Sequence, residues 1–319
     1  MKKVVIAQKT NPSVVAMLAE KAEIAQVDEG SVEDLKEKLK GAYAVFLGTW
    51  VKFTAELMDI SPDLKVISRT GVGVDNVDIA AATKRGIMVL NTPYANAVSV
   101  AEHAVTLMLA LAKQLFFLDS SIRTDNFKAR RLNLPVDIDS KTLGLIGCGG
   151  IGRLVAQKCR NGFNMNVLGY DPYLKTAPEE IELVNQLEEI YRRSDFVSIH
   201  LPLTEETRNL INAYSLAHFK SSAILINTSR GGIVDEAALA QALEAGKIAG
   251  AGLDVFAQEP VPLNSPLMTA RNLIMTPHSA ALTQECVVRV ATAAAEGIIQ
   301  AIEGREPEFV FNRRELANR

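Results

Sequence analysis

The stretch TLGLIGCGGIGRLVAQKCRNGFNMNVLGYDP, residues 142–172, decides the fold. An apolar run ends in Gly147, Gly149 and Gly152, spaced G-x-G-x-x-G; a helical pattern follows, and a second apolar run stops at Asp171. Gly147 allows the tight turn, Gly149 lets the backbone approach a pyrophosphate, and Gly152 permits close packing of helix on strand. The phosphates would sit at the helix N-terminus, where unpaired N–H groups and the helix dipole favour negative charge. Asp171 follows Gly152 by nineteen residues. A carboxylate there accepts hydrogen bonds from an adenosine ribose and repels a 2′-phosphate, which points to NAD rather than NADP. Glycine-rich strand-to-helix turns also arise for steric reasons alone, so the weight rests on strand, loop, helix and acid occurring together.

Outward from this unit, short apolar runs alternate with helical patterns: KVVIA (3–7), AVFLG (44–48), KVISR (65–69), GIMVL (86–90), FVSIH (196–200), AILIN (223–227), IAGAGLDV (248–255) and NLIMTP (272–277). Continuously apolar runs suit parallel strands covered on both faces. The class is therefore α/β, doubly wound. Two longer helices are expected, from about 98 to 118 and from about 282 to 302. If both cross between domains, one domain comprises 1–99 and 283–319, discontinuous in sequence, and the other 100–282.

With 319 residues, 48% of them hydrophobic, the chain can build two moderate cores. A net charge of −3 without like-charge blocks gives no sign of nucleic acid or anionic membrane as partner, and favours a small molecule. The longest apolar stretch, residues 104–118, is interrupted by Lys113 and Gln114 and falls short of the roughly 20 residues of a membrane span. It reads as a buried helix. Three cysteines without paired spacing fit a reducing compartment, the cytoplasm, and argue against a disulfide framework or a metal site.

Three further runs end in polar residues: NTSRGG with Arg230, GLDVFAQEP with Asp254 and Glu259, and IMTPHSAA with His278. In an open α/β sheet, ligands bind outside the carboxyl ends of the strands, so these side chains would share one crevice. Reduction of a 2-keto acid needs a cation for the carboxylate and the carbonyl, and a proton donor for the developing alkoxide. Arginine provides a planar, always-charged fork. Histidine donates and recovers one proton per turnover, and a carboxylate beside it, as Glu259 could be, fixes its tautomer. Each residue alone has a plainer reading: a helix cap for His278, a solvated loop position for Glu259, an ion pair with Asp235 for Arg230. Of the other histidines, His200 at a strand end reads as structural, His103 as packing on the long helix, and His218 as near the surface.

Together with TGVGVDNVDIAAATKRGIMVLNTP (70–93) and SVAEHAVTLMLALAK (99–113), these motifs resemble the D-isomer-specific 2-hydroxyacid dehydrogenases, in particular their phosphoglycerate dehydrogenase-like branch. The resemblance runs from about Val45 to the last helix. It implies a discontinuous flavodoxin-like substrate domain, a Rossmann domain for NAD, a cleft that closes, and a homodimer built on the cofactor domain. The expected reaction is reversible hydride transfer between NADH and a small 2-keto acid. Carried over, the catalytic residues are Arg230, Glu259 and His278. Cofactor contacts fall on Gly147, Gly149, Gly150, Ile151, Gly152, Asp171, Pro202, Thr228, Ser229, Arg230, Asp254 (for the nicotinamide amide) and His278. Substrate contacts fall on the backbone of Val72 and Gly73, on Asn96, Arg230 and His278, with no metal.

The departures bear on the substrate. Relatives often carry an arginine for the substrate phosphate where this chain has Gly48, with Trp50, its sole tryptophan, two residues on. A phosphate would then depend on Lys52 or on a partner subunit, and hydroxypyruvate or glyoxylate stands beside 3-phosphohydroxypyruvate as the expected acid. Gly150 stands where relatives often place an arginine over the pyrophosphate. The regulatory domain of long relatives has no counterpart after FVFNRRELANR, so serine feedback through one is not expected. The alternative is an NAD-sensing binding protein like the corepressors that resemble this family, without physiological turnover.

Overall fold

The computed structural model describes residues 1–132, 134–176 and 178–318. The chain forms two compact units, Met1–Asn96 with Leu282–Arg319, and Ala97–Ala281.

The first unit holds β1 (Lys3–Ala7), β2 (Glu23–Gln26), β3 (Ala42–Leu47), β4 (Val66–Arg69) and β5 (Met88–Leu90). All pair in parallel, in the order β2-β1-β3-β4-β5 of flavodoxin-like sheets. The apolar runs are continuous because alternate residues serve opposite faces. Val5, Val45 and Ile67 face one core with Leu35 and Phe53, whereas Val4, Phe46 and Val66 face another. The helix Gln284–Ile302 supplies Ala291, Ala294, Ala295 and Ile298 to that second core. Thr283 caps it by accepting from the Cys286 N–H, and the Ser68 hydroxyl donates to the Ala294 carbonyl at 2.8 Å. This packing makes the unit discontinuous in sequence.

The second unit holds β6 (Thr142–Ile146), β7 (Asn166–Tyr170), β8 (Glu182–Leu183), β9 (Phe196–Ile199), β10 (Ile224–Asn227), β11 (Gly250–Leu253) and β12 (Leu273–Met275). Every pairing is parallel, and the order β8-β7-β6-β9-β10-β11-β12 is that of a Rossmann sheet with one strand added. Leu143, Leu145, Ile224 and Ile226 face one core, while Ile146 and Leu225 face the other.

Two features depart from the sequence reading. The expected helix 98–118 is broken: Ala97–Ala112 and Leu115–Arg123 are separate helices, bent by 56° at Gln114, which adopts a left-handed φ of 50°. Leu115, Phe116 and Phe117, expected in a buried helix, are exposed. Among the described residues no single helix is long and apolar enough to cross a membrane. The strands β2 and β8 were not expected. Both lie at sheet edges, where few residues are enclosed, so EIAQ and EL carry no apolar signature.

Candidate active site

The second sheet reverses direction of progression between β6 and β9, and a crevice opens outside their carboxyl ends at such a point. The glycine loop follows β6, and His200 and Pro202 follow β9. Gly147 has a φ of 95°, and a β-carbon there would lie 2.5 Å from the His200 carbonyl oxygen. One at Gly152 would lie 2.3 Å from the Gly147 carbonyl oxygen. Both glycines are thus fixed by close backbone approach. At Gly149 a β-carbon would meet nothing within 4 Å, which leaves the helix N-terminus at Gly150 and Ile151 approachable. Asp171, just past β7, accepts the Cys148 N–H at 3.0 Å through Oδ2 and the Tyr173 N–H at 3.0 Å through Oδ1. The Thr228 hydroxyl oxygen is buried without a hydrogen-bond partner, an arrangement that invites a ligand. These features fit a dinucleotide: open loop backbone, an acid beside it and an unsatisfied hydroxyl.

The expected catalytic trio lies on three neighbouring strand ends. Asn227, Leu253 and Met275 share one register across β10, β11 and β12. Arg230 and His278 each follow three residues beyond that line, and Asp254 one. The Asn227 side chain shapes the first turn: its Oδ1 accepts the Ser229 N–H and hydroxyl, and its Nδ2 donates to the Arg230 carbonyl. The Arg230 guanidinium donates to the Ser229 carbonyl at 2.7 Å. Glu259 uses both oxygens, Oε1 accepting the Phe256 N–H at 3.0 Å and Oε2 lying 2.8 Å from His278 Nδ1. That bond leaves Nε2 as the ring nitrogen turned away from Glu259. The His278 and Glu259 side chains are 52% and 38% exposed, so the pair is open to a ligand.

Asp254 behaves differently from its neighbours. It is 1% exposed and spends its carboxylate on the loop that carries His278. Oδ1 accepts the Thr276 hydroxyl at 2.6 Å and the Ser279 N–H at 2.8 Å, and Oδ2 accepts the Ala280 N–H at 2.9 Å. A carboxylate offers about four acceptor sites, so Oδ2 retains one for a further donor such as a nicotinamide amide. Thr276 carries one signal in the sequence, its place two residues before His278.

Val72, Gly73 and Asn96 belong to the other unit. The Val72 carbonyl accepts from Asn91 Nδ2 at 2.8 Å, and Asn96 Oδ1 is buried without a hydrogen-bond partner. In that sheet the switch point falls between β1 and β3, hence between Gln8 and Gly48. A β-carbon at Gly48 would stand 2.5 Å from Gln8 Oε1, which accepts the Thr70 hydroxyl at 2.6 Å. The Gln8 amide therefore fills the space a side chain at 48 would need. Trp50 is half-buried against the core and its indole N–H donates to the Ala7 carbonyl; Lys52 is exposed.

The remaining histidines are apart from the trio. The His200 ring packs beneath the glycine loop with Nε2 2.9 Å from the Ser198 hydroxyl, and burial pushes its pKa down to about 4. His218 is half-buried, with Nδ1 2.8 Å from the Tyr214 carbonyl oxygen. His103, on Ala97–Ala112, lies with Nε2 2.9 Å from the Thr276 hydroxyl.

A family model described as D-isomer specific 2-hydroxyacid dehydrogenase, NAD binding domain, matches residues 105–280. The chain belongs to that family. As a D-2-hydroxyacid dehydrogenase family member it is 39% identical over 315 residues to the D-3-phosphoglycerate dehydrogenase of Methanocaldococcus jannaschii, covering 98% of this chain and 60% of that one. It thus spans about 60% of the length of that relative. It is 40% identical over 265 residues to the glyoxylate reductase of Korarchaeum cryptofilum, covering 81% and 79%. The D-lactate dehydrogenase of Aquifex aeolicus, solved with NAD and lactic acid, superposes with a TM-score of 0.84 at 27% identity, covering 99% of this chain and 98% of that one. The family's NAD binding domain coincides with the Rossmann sheet described above.

Proposed function

We propose that this chain is an NAD-dependent D-2-hydroxyacid dehydrogenase that interconverts a small 2-keto acid and its D-2-hydroxy acid, acting on 3-phosphohydroxypyruvate, hydroxypyruvate or glyoxylate. The observation that carries the reading is the His278–Glu259 pair at the carboxyl end of a Rossmann sheet, formed by residues that follow β12 and β11, with β11 paired to the strand that leads to Arg230. When bound, NADH supplies the hydride to the keto carbon. Arg230 holds the substrate carboxylate and draws charge toward the carbonyl oxygen. His278, gripped by Glu259 at Nδ1, gives its Nε2 proton to that oxygen as negative charge develops, and takes it back in the reverse direction. The Val72 and Gly73 N–H groups and Asn96 serve the substrate from the discontinuous unit, residues 1–96 with 282–319, which acts as the substrate domain; 97–281 is the cofactor domain.

On the substrate, the neutral Gln8 amide filling the space at Gly48 supports an unphosphorylated acid, whereas likeness to phosphoglycerate dehydrogenases supports the phosphorylated one. Steady-state NADH oxidation with hydroxypyruvate, glyoxylate and 3-phosphohydroxypyruvate decides between them. A kcat/KM ratio beyond about tenfold, or 1.4 kcal/mol, identifies the preferred acid. His278→Ala should cut kcat by about two orders of magnitude or more with NADH binding kept. Unchanged turnover in that variant removes the reading, and tight NADH binding without turnover on any keto acid favours the NAD-sensing binding protein.

The same reading includes a cytoplasmic homodimer. Leu115, Phe116, Ile122, Phe127, Leu132 and Leu134 are all exposed within twenty residues of one unit, an apolar surface of the sort a partner subunit covers. Three unpaired cysteines support a reducing compartment. A monomer in sedimentation velocity at micromolar concentration would remove the dimer.

A further inference from the structure

His278 is a non-glycine residue with a left-handed φ of 51°, a conformation that costs on the order of 1–2 kcal/mol and persists only when its surroundings impose it. What imposes it here is a short chain of hydrogen bonds with Asp254 at its centre. The Asp254 backbone carbonyl accepts the His278 N–H at 2.8 Å, while its carboxylate holds Ser279 and Ala280 on the far side of the histidine and Thr276 on the near side. The Thr276 hydroxyl has one proton, and it goes to Asp254 Oδ1. The 2.9 Å contact between that hydroxyl and His103 Nε2 therefore has the histidine as donor. The sequence of donors is fixed: His103 Nε2–H to Thr276 Oγ1, and Thr276 Oγ1–H to Asp254 Oδ1. Asp254 and Thr276 are buried or half-buried, so water does not replace a missing member freely.

We propose that Thr276 and His103 are positioning residues for the dehydrogenase reaction, acting through Asp254 to hold His278 in the left-handed turn that sets its ring against Glu259. This rests on the reading of His278 as the proton donor. His103 acts on Asp254 through the Thr276 hydroxyl and also directly, its Nε2 lying 3.7 Å from Asp254 Oδ1. The arrangement also links two parts of the chain far apart in sequence, since His103 lies on the helix that begins the second unit and Ala280 lies next to the end of that unit.

The test uses Thr276→Val, which keeps the shape and removes the hydroxyl, Thr276→Ser, which keeps the hydroxyl, and His103→Phe. Thr276→Val is expected to lower kcat by about tenfold or more while NADH binding, read by fluorescence titration, stays within about twofold. Thr276→Ser should restore most of the loss, and His103→Phe should fall between. A second readout needs neither cofactor nor turnover. With four histidines in the chain, two-bond proton–nitrogen NMR at slightly alkaline pH resolves each ring's tautomer. In the wild type His103 should carry its proton on Nε2 and His278 on Nδ1, and Thr276→Val should mix the His278 tautomers as the ring leaves Glu259. If His278→Ala abolishes turnover but Thr276→Val keeps wild-type kcat and an unmixed His278 tautomer, the positioning role is wrong and the proton-donor reading stands. If His278→Ala keeps turnover, the proton-donor reading falls and the positioning proposal with it.

Discussion

Gly231 lies against Phe256 so closely that a β-carbon at Gly231 would stand 1.8 Å from the Phe256 carbonyl oxygen and 2.0 Å from its carbonyl carbon. The turn that carries Arg230 is thereby seated on the turn that carries Glu259. Because the obstructing atoms are backbone, neither side yields by a change of rotamer. Gly231→Ala should separate the two turns, cost about 1–3 kcal/mol of stability, and lower kcat/KM for a keto acid by about two orders of magnitude. Urea unfolding together with steady-state kinetics checks both parts; a variant with wild-type kinetics would show that Arg230 and Glu259 do not depend on each other's placement.

Glu259 has two acceptor oxygens and two donors to satisfy, the Phe256 N–H and the His278 Nδ1–H. A glutamine has the same shape but only one acceptor oxygen, so one of the two donors would face an amide NH2. Glu259→Gln should therefore keep the fold and lose about two to four orders of magnitude in kcat, because the imidazole no longer has a carboxylate to orient it and stabilise its charge. Loss of less than about threefold would mean that His278 acts without its partner.

How far the sequence reveals this arrangement depends on what each residue does locally. The strands β6, β10 and β11 are legible because burial on both faces forces continuous apolar runs, and Gly147 and Gly152 because backbone approach excludes any side chain. Arg230, Glu259 and His278 are legible as polar residues that end such runs. The edge strand β2 is not, since EIAQ encloses little. The break at Gln114 is not legible because helical periodicity continues through it and only the left-handed φ ends the helix. Thr276 and His103 are 173 positions apart, and no local pattern joins residues that meet only through the packing of a helix on β10 and β11.

Asp171 serves the glycine loop as well as any ribose, because its Oδ2 accepts the Cys148 N–H. Asp171→Ser removes the charge that repels a 2′-phosphate and keeps a hydroxyl for the loop. The ratio of kcat/KM for NADH to that for NADPH should fall by about tenfold or more, with part of the fall coming from weaker NADH binding. An unchanged ratio would mean that some other group governs the choice of cofactor.

His200 makes a prediction about stability rather than chemistry. Its ring lies partly buried beneath the glycine loop and burial pushes its pKa down to about 4, against about 6.5 in an unfolded chain. Between those values the unfolded chain binds the extra proton and the native protein does not, so protonation pulls the equilibrium toward unfolding. The stabilising effect is complete above about pH 6.5 and is lost progressively as pH falls toward about 4. Other groups titrate in that window too, so the contribution of His200 is a difference between two proteins. Urea unfolding at about pH 7, above this window, and at about pH 5, inside it, should show the wild type losing more stability than His200→Gln, whose neutral amide can still meet the Ser198 hydroxyl. Equal losses in the two proteins would mean that the ring is protonated in the native state as readily as in the unfolded one, and that the glycine loop does not rest on a neutral imidazole.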